Sequence, residues 1–366
     1  MDPLMIYGAN GYTGKLIAAE AVKRGLKPVL AGRNRDALDA LALPLKLTRR
    51  VFELNEALEI DRQLDGVRIL LNCAGPFSRT CEPLLDACLR KKIHYLDITG
   101  EIDVFAHCHR MHKQARYAGI VVAPGTGFDV VPTDCLAAML KQRLADATHL
   151  VLAFEAGGGP SPGTARTSVE SLAKGGRARI GGELREVPLA WKSREFTRQD
   201  GSHRSAMTIP WGDVYTAFVS TGIPNIETYM AVPARTIARL RWLRHLRWLL
   251  ALPFVQGQLQ RRAGQTPGPD RQRRETTGCE VWGEATNANG KQVAASLKTP
   301  NGYTLTVSAS LGIVEQLLAN SPAGGYYTPS MLMGADYVLG LPGVSLLDAR
   351  MRQADGLLES AARSPN

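Results

Sequence analysis

The chain has 366 residues, 45% of them hydrophobic, with 44 Lys and Arg against 34 Asp and Glu and a formal net charge of +10. This length and composition exclude disordered and collagen-like classes and lead to an expectation of two globular domains. The positive excess favours anionic ligands or surfaces, yet no nucleic-acid-reading motif accompanies it, so no nucleic-acid partner is expected.

The first predicted element is a strand, Leu4 to Tyr7, which runs directly into Gly8-Ala9-Asn10-Gly11-Tyr12-Thr13-Gly14. Gly8 permits a tight turn, Gly11 lets backbone approach a pyrophosphate, and Gly14 lets the following helix pack on the strand. That helix, Lys15 to Arg24, aims its free N–H groups and positive dipole end at the same place. A second strand, Lys27 to Ala31, ends in Gly32-Arg33-Asn34-Arg35. A dinucleotide site for NAD carries an acid here for the ribose 2′-hydroxyl, whereas Arg33 and Asn34 suit a 2′-phosphate, so the expected cofactor is NADP(H). A nucleotide-hydrolase phosphate loop is excluded, because Ala9 and Leu16 stand where that motif needs glycine and a hydroxyl residue.

The rhythm continues with an apolar strand, Val67 to Asn72, ending in Asn72-Cys73-Ala74-Gly75-Pro76-Phe77, and a helix from Glu82 to Lys91. Ile93 to Leu96 is a strand ending in Asp97-Ile98-Thr99-Gly100-Glu101. A helix, Asp103 to Tyr117, and a strand, Ile120 to Val122, complete the unit. Such alternation predicts a Rossmann-type α/β domain with a parallel, doubly wound sheet. Its strand ends, at 8–14, 33–35, 72–77 and 97–101, converge on one crevice.

After Pro124-Gly125-Thr126-Gly127-Phe128-Asp129 the style changes. A helix is expected at Thr133 to Leu144, a strand at His149 to Glu155 and a helix at Thr164 to Lys174. Strands at Cys279–Ala285, Gln292–Leu297 and Tyr303–Ser310, joined through Asn289-Gly290 and Asn301-Gly302, read as an antiparallel meander. The second domain is thus expected to be α+β with a largely antiparallel sheet. The expected division is 1–127 for the NADP-binding domain and 128–325 for a substrate and dimerisation domain. Helices are expected near Ile313–Asn320 and Pro329–Leu339; residues 326–352 are expected to form a helical segment returning to the first domain, and 353–366 a tail.

Four stretches resemble the saccharopine dehydrogenase-like oxidoreductases, in particular the bacterial branch of trans-acting enoyl reductases. They are Gly8 to Gly14 with Ala31-Gly32-Arg33, Asn72 to Phe77, Tyr95 to Glu101, and Gly127 to Asp134. Shorter echoes are Ser161 to Thr164, Val281 to Glu284 and Gly324 to Pro329. The resemblance implies a Rossmann domain, an α+β domain that often mediates dimers, and NADPH as hydride donor. It also implies substrates that range from an amino-acid adduct to polyketide enoyl chains. By the same resemblance Cys73, Ala74, Gly75, Pro76 and Phe77 run beside the cofactor's ribose and nicotinamide.

Hydride transfer needs a proton mover beside the acceptor. The candidates are Tyr95, Asp97 and Asp129. Glu101 and Asp134 read better as first-turn acids favoured by a helix dipole. No Ser-x-x-x-Tyr-x-x-x-Lys triad is present, which leaves bound water as an alternative donor. No metal is expected, since His107, His109 and His112 lack ligand spacing and fit a solvated helix face.

The six cysteines, Cys73, Cys81, Cys88, Cys108, Cys135 and Cys279, show no C-x-x-C pair and read as free thiols of a reducing cytoplasm. No leader pattern stands at the N-terminus and no apolar run nears the ~20 residues that span a bilayer, so a cytoplasmic protein is expected. From Arg235 to Arg262, seven arginines interleave with Leu, Trp and Phe. Over 235–254 this reads either as an interfacial helix on anionic lipid or an acyl groove, or as a helix packed on its own core or a dimer partner. The expected activity is NADPH-dependent hydride transfer to an apolar, enoyl-like acyl substrate by a homodimer, with peripheral membrane contact through 235–254. An amino-acid-adduct reductase and a non-catalytic NADPH sensor or scaffold are the alternatives.

Overall fold

The computed structural model describes residues 3–198, 200–244, 252–265 and 267–353. The N-terminal half alternates as expected: β1 (Leu4–Tyr7), α1 (Tyr12–Lys23), β2 (Val29–Gly32), α2 (Arg35–Leu45), β3 (Arg49–Val51), α3 (Ala57–Gln63), β4 (Ile69–Asn72), α4 (Phe77–Lys91), β5 (His94–Asp97), α5 (Ile102–Arg110), α6 (His112–Ala118) and β6 (Val121–Ala123). Every residue of β1, β2, β4 and β6 is buried, because helices cover both faces of the sheet. One face packs Met5, Tyr7, Leu70, Tyr95 and Val122 under α4 and α5. The other packs Leu4, Ile6, Leu30, Leu71 and Leu96 under α1 and α2.

The second half contains α7 (Val131–Arg143), β7 (Ala147–Glu155), α8 (Pro162–Lys174), β8 (Gly176–Ile180), β9 (Glu183–Val187), β10 (Ser193–Thr197), β11 (His203–Thr208), α9 (Asp213–Thr221) and β12 (Asn225–Ala231). It continues with α10 (Ala234–Leu243), α11 (Pro253–Ala263), α12 (Arg271–Thr276), β13 (Cys279–Asn287), β14 (Lys291–Thr299) and α13 (Gly302–Ala319). The chain closes with β15 (Gly325–Tyr326), α14 (Pro329–Met333), a 3₁₀ turn at Ala335–Gly340 and β16 (Ser345–Gln353). The first sheet runs β15-β6-β5-β4-β1-β2-β3 and is parallel throughout. The second runs β10-β11-β12-β7-β13-β14-β16, with β8 and β9 beside it; only β12 and β7 pair in parallel. Among the described residues no helix is long and apolar enough to cross a membrane.

Two sequence expectations fail here. Tyr303–Ser310 is not the third strand of a meander but the first half of α13. Asn301 caps that helix, its side-chain oxygen accepting the Tyr303 N–H at 3.1 Å, so Asn301-Gly302 starts a helix where a hairpin turn was expected. The helix is apolar nearly all round because it lies between the domains. Leu305 and Ala309 face the second core, while Val307, Leu311, Val314 and Leu317 face the first. Such a run has no amphipathic period to separate helix from strand.

The second failure concerns 326–352, which is not a helical return to the first domain. Only Gly325–Tyr326 rejoins the parallel sheet, beside β6. The expected helix at 329–339 is broken at Gly334, whose φ of +91° ends α14. Residues 345–353 then form a strand that pairs antiparallel with β14 in the second sheet. The tail beyond Gln353 lies outside the described residues.

Candidate functional site

The glycine turn is built as its spacing requires. Gly8 has φ +77° and its N–H donates to Ala31 O at 2.8 Å. A Cβ there would stand 2.8 Å from Ala74, so the β1 and β4 loops touch only because Gly8 has no side chain. A Cβ on Gly14 would stand 2.5 Å from Gly8 O and 2.8 Å from Ala9 Cα. Gly11 differs. It is exposed, its φ of −72° suits any residue, and its only near neighbour would be Gly8 O at 3.1 Å. Among the described residues no other atom lies within 4 Å of a Cβ built there. Helix α1 starts at that point with no acid in its first turn and no side-chain cap, leaving its N–H groups for an anion. Tyr12 and Thr13 open the helix, and the Asn10 side chain lies over Gly32.

At the end of β2, Arg33 is exposed and has no ion-pair partner among the described residues. It lies near enough to Tyr7 for its charge to favour the ionised phenol, against a burial that pushes that group up to about 12. Asn34 turns out to be the N-cap of α2, its Oδ1 accepting the Ala37 N–H at 3.0 Å, so its side-chain carbonyl is engaged within its own helix.

The loop after β4 is held from below and from the side. Buried Asn72 accepts the Ala74 N–H at 3.0 Å and donates to Thr80 Oγ1 at 3.0 Å and Tyr95 Oη at 3.3 Å; Thr80 in turn donates to Ala74 O at 2.7 Å. The Glu101 carboxylate accepts the N–H groups of Phe77 and Ser78, both at 2.9 Å. Glu101 thus caps the start of α4 from across the crevice, besides standing at the start of α5. The stretch Cys73, Ala74, Gly75, Pro76 and Phe77 is thereby fixed beside Gly8. The roles of Asn72, Thr80 and Glu101 depend on contacts up to 24 residues apart, which local pattern does not encode.

Two catalytic candidates are corrected. Tyr95 and Asp97 are fully buried. Tyr95 donates to Asp97 Oδ2 at 2.9 Å, and Asp97 Oδ1 accepts the N–H groups of Thr99 at 3.0 Å and Gly125 at 2.9 Å. Burial pushes the Asp97 carboxyl up to about 7, opposed by these hydrogen bonds. The pair ties the β5 and β6 loops together inside the core and presents nothing to the crevice. Cys81 and Cys108 lie beside Asp97, their sulfurs 3.5 Å apart. The thiol of Cys108 is raised by burial, as a core cysteine is.

Asp129 is placed differently. It is partly exposed, and a Cβ on Gly100 would stand 3.2 Å from its Oδ2, so the carboxyl lies against the turn that follows β5. Its backbone is pinned by Trp211, whose Nε1 donates to Asp129 O at 2.7 Å. Burial pushes its carboxyl up to about 7. Phe128, Phe154 and Trp211 form an aromatic group beside it, with ring centroids 5.8 and 5.2 Å apart. Asp134 is fully buried and accepts from Ser220 Oγ at 2.7 Å and Ser330 N–H at 2.8 Å. Asp213, also fully buried, is raised well above the carboxylate range by burial, opposed by the Thr133 hydroxyl, and by the charges of Asp134 and Asp129.

The second domain reaches the glycine turn through Tyr12. Its hydroxyl donates to Pro269 O at 2.5 Å and accepts from Arg274 at 3.0 Å, and its ring packs edge-on against Tyr303 at 4.8 Å. Tyr303 Oη in turn accepts the Ser161 N–H at the start of α8.

A parallel sheet with an open glycine turn at its first strand, joined to a second α+β domain, is the architecture of a dinucleotide-binding fold. Residues 4–122 match the saccharopine dehydrogenase NADP binding domain. The chain is similar to the saccharopine dehydrogenase-like oxidoreductase of Bos taurus, 25% identical over 151 residues that cover 36% of this chain and 35% of that protein. It is also similar to the trans-acting enoyl reductase of Mycobacterium bovis, 28% identical over 148 residues covering 38% and 35%. The chain thus spans about a third of the length of the curated relatives it matches. Among solved structures, the Saccharomyces cerevisiae saccharopine dehydrogenase (L-Glu forming) superposes with a TM-score of 0.63 at 10% identity, covering 96% of this chain and all of that one. The Legionella pneumophila homospermidine synthase in complex with NAD gives 0.63 at 11% identity, covering 100% and 94%. At these identities the likeness is one of fold.

Proposed function

We propose that this protein is an NADPH-dependent oxidoreductase that delivers hydride to an apolar, acyl-type substrate, as an enoyl reductase does. The observation that carries the reading is the open Gly11 cradle with an unpaired Arg33 at the end of β2. Gly11 and the first N–H groups of α1 would hold the pyrophosphate, Arg33 the 2′-phosphate, and residues 73–77 the ribose and nicotinamide side. The cofactor supplies the hydride. What remains for the protein is to orient the acceptor, exclude water and move one proton. Asp129 suits the last task, because it alone of the three candidates is not fully buried, and its largely buried carboxyl stays protonated to near neutral pH. Of the aromatic group beside Asp129, Phe128 and Phe154 are buried in the second core and Trp211 is partly exposed, so the neighbourhood of Asp129 is apolar, which favours an acyl-type substrate over a charged amino-diacid.

The test is nucleotide affinity measured by fluorescence titration of wild type and Arg33→Ala. A lost charge-assisted, bidentate phosphate contact costs about 1.5–3 kcal/mol, roughly 10- to 150-fold. NADPH affinity should fall by that factor in the variant while NADH affinity stays the same. Equal affinity of the wild type for the two nucleotides would defeat the NADP assignment.

A further inference from the structure

Between Glu227 and Asp270 the chain holds seven arginines and no acid. The structure sorts the described ones by direction. In α10 the inward side carries Ile237, fully packed in the second core, and Leu240 beside it. Arg241 also turns inward, donating to Ala190 O at 3.1 Å and Ser193 Oγ at 2.9 Å. The outward stripe is Arg235, Arg239 and Trp242, spaced i, i+4, i+7 along one helix face, and all three are exposed. Trp242 keeps 64% of its surface in solvent.

Helix α11, which packs on α8, repeats the pattern with Phe254, Gln258, Arg261 and Arg262 exposed, and Phe254 is 66% exposed. Trp242 lies at the last turn of α10 and Phe254 at the first turn of α11. Arg235 stands in the first turn of α10 and Arg239 one turn before Trp242, while Arg261 and Arg262 stand in the last turn of α11, so each helix exposes an aromatic ring and two arginines. A soluble surface rarely spends two large aromatics this way, whereas a bilayer surface matches both parts. Indole and phenyl rings settle at the headgroup level, and guanidinium groups meet lipid phosphates.

We propose that the outward faces of α10 and α11 dock on an anionic lipid bilayer, so that the enzyme works as a peripheral membrane protein. The surface is continuous in the chain with the nucleotide crevice, since the segment after α11 supplies Pro269 and Arg274 to Tyr12 at the start of α1. The proposal stands apart from the reductase reading and fails separately from it.

The experiment is co-sedimentation of the full-length protein with vesicles of phosphatidylcholine alone and of phosphatidylcholine mixed with phosphatidylglycerol, at low and high salt. The variants are Arg235→Glu/Arg239→Glu and Trp242→Ala, each checked by thermal melt and by NADPH titration. Binding is expected only to the anionic vesicles and should weaken with salt, since the attraction is screened over about 10 Å at 0.1 M. Loss of two arginine contacts should weaken it at least about 25-fold, at about fivefold per charge. Trp242→Ala should remove a vesicle-induced blue shift of tryptophan emission, and nucleotide affinity should not move in either variant. The proposal is overturned if the wild type ignores anionic vesicles, or if the folded double variant binds them as well as the wild type does. It is equally overturned if the variants change the mass in solution and leave vesicle binding untouched, which would make the face a contact between two copies.

Discussion

The three glycines of the first turn make different demands, and that difference can be measured. Gly14→Ala places a Cβ 2.5 Å from Gly8 O and 2.8 Å from Ala9 Cα, both backbone atoms that cannot swing aside. Overpacking of this kind costs typically 1–3 kcal/mol, so this variant should melt lower and bind nucleotide poorly through the damaged turn. Gly11→Val meets only Gly8 O, at 3.1 Å, and its φ of −72° with ψ of 169° lies in the extended region that valine favours. Its stability without ligand should stay within about 1 kcal/mol of wild type. The space its side chain enters is the space left for the pyrophosphate. At a nucleotide concentration of about 100 times Kd, a single bound ligand adds about 2.7 kcal/mol to wild-type stability. Differential scanning fluorimetry with and without NADPH reads this as an upward shift of several degrees, and Gly11→Val should show none of it. A Gly11→Val protein that keeps the full NADPH shift would refute the reasoning, because the glycine would then be structural like its two neighbours.

Other outcomes follow from the same geometry. Glu101→Ala leaves the N–H groups of Phe77 and Ser78 without their carboxylate, so it should cost about 1–3 kcal/mol in denaturant melts, and Glu101→Gln should recover part of that. For Asp129, the folded-state value near 7 lies above the ordinary carboxyl value of 3.8. Between those values the unfolded chain has released a proton that the folded chain retains, so this group makes stability fall as pH rises through that window and then level off above about 7. Asp129→Asn should therefore gain on the wild type progressively from acid to neutral pH. A constant difference between the two across that range, in melts at fixed ionic strength, would show that Asp129 titrates normally.

Much of the first domain was legible because its signals are local. The strands β1, β2, β4, β5 and β6 are short, mostly apolar runs, each ended by turn residues, and burial on both faces makes them continuous rather than alternating, whereas β3, Arg49–Val51, carries no such signal. Gly8, Gly11 and Gly14 announce a close backbone approach through steric rules that act within a single turn, and Arg33 announces an anion through its charge at a strand end. The basic and aromatic character of 235–254 was visible too, but which of its side chains face outward was not, since Arg241 bends back to Ala190 and Ser193.

Only the tertiary structure decided the rest, and in each case a distant partner is the reason. Tyr95 and Asp97 stand at a strand end like catalytic groups, but Thr99, Gly125 and Asn72 draw them into a closed internal network. Glu101 looks like a first-turn acid of its own helix and serves the start of another. The run from Tyr303 to Ala319 has the same apolar content whether it is strand or helix. Burial between two cores removes the periodicity that would separate them, and a single cap at Asn301 settles the choice. Residues 345–353 became a strand because the edge of β14 was open to receive them. Sequence by itself thus determined the class of the first domain and the position of its nucleotide turn, since those follow from backbone sterics and charge over a few residues. Which acids face the crevice, and how the two sheets are stitched together by α13, β15 and β16, was determined by contacts between residues far apart in the chain.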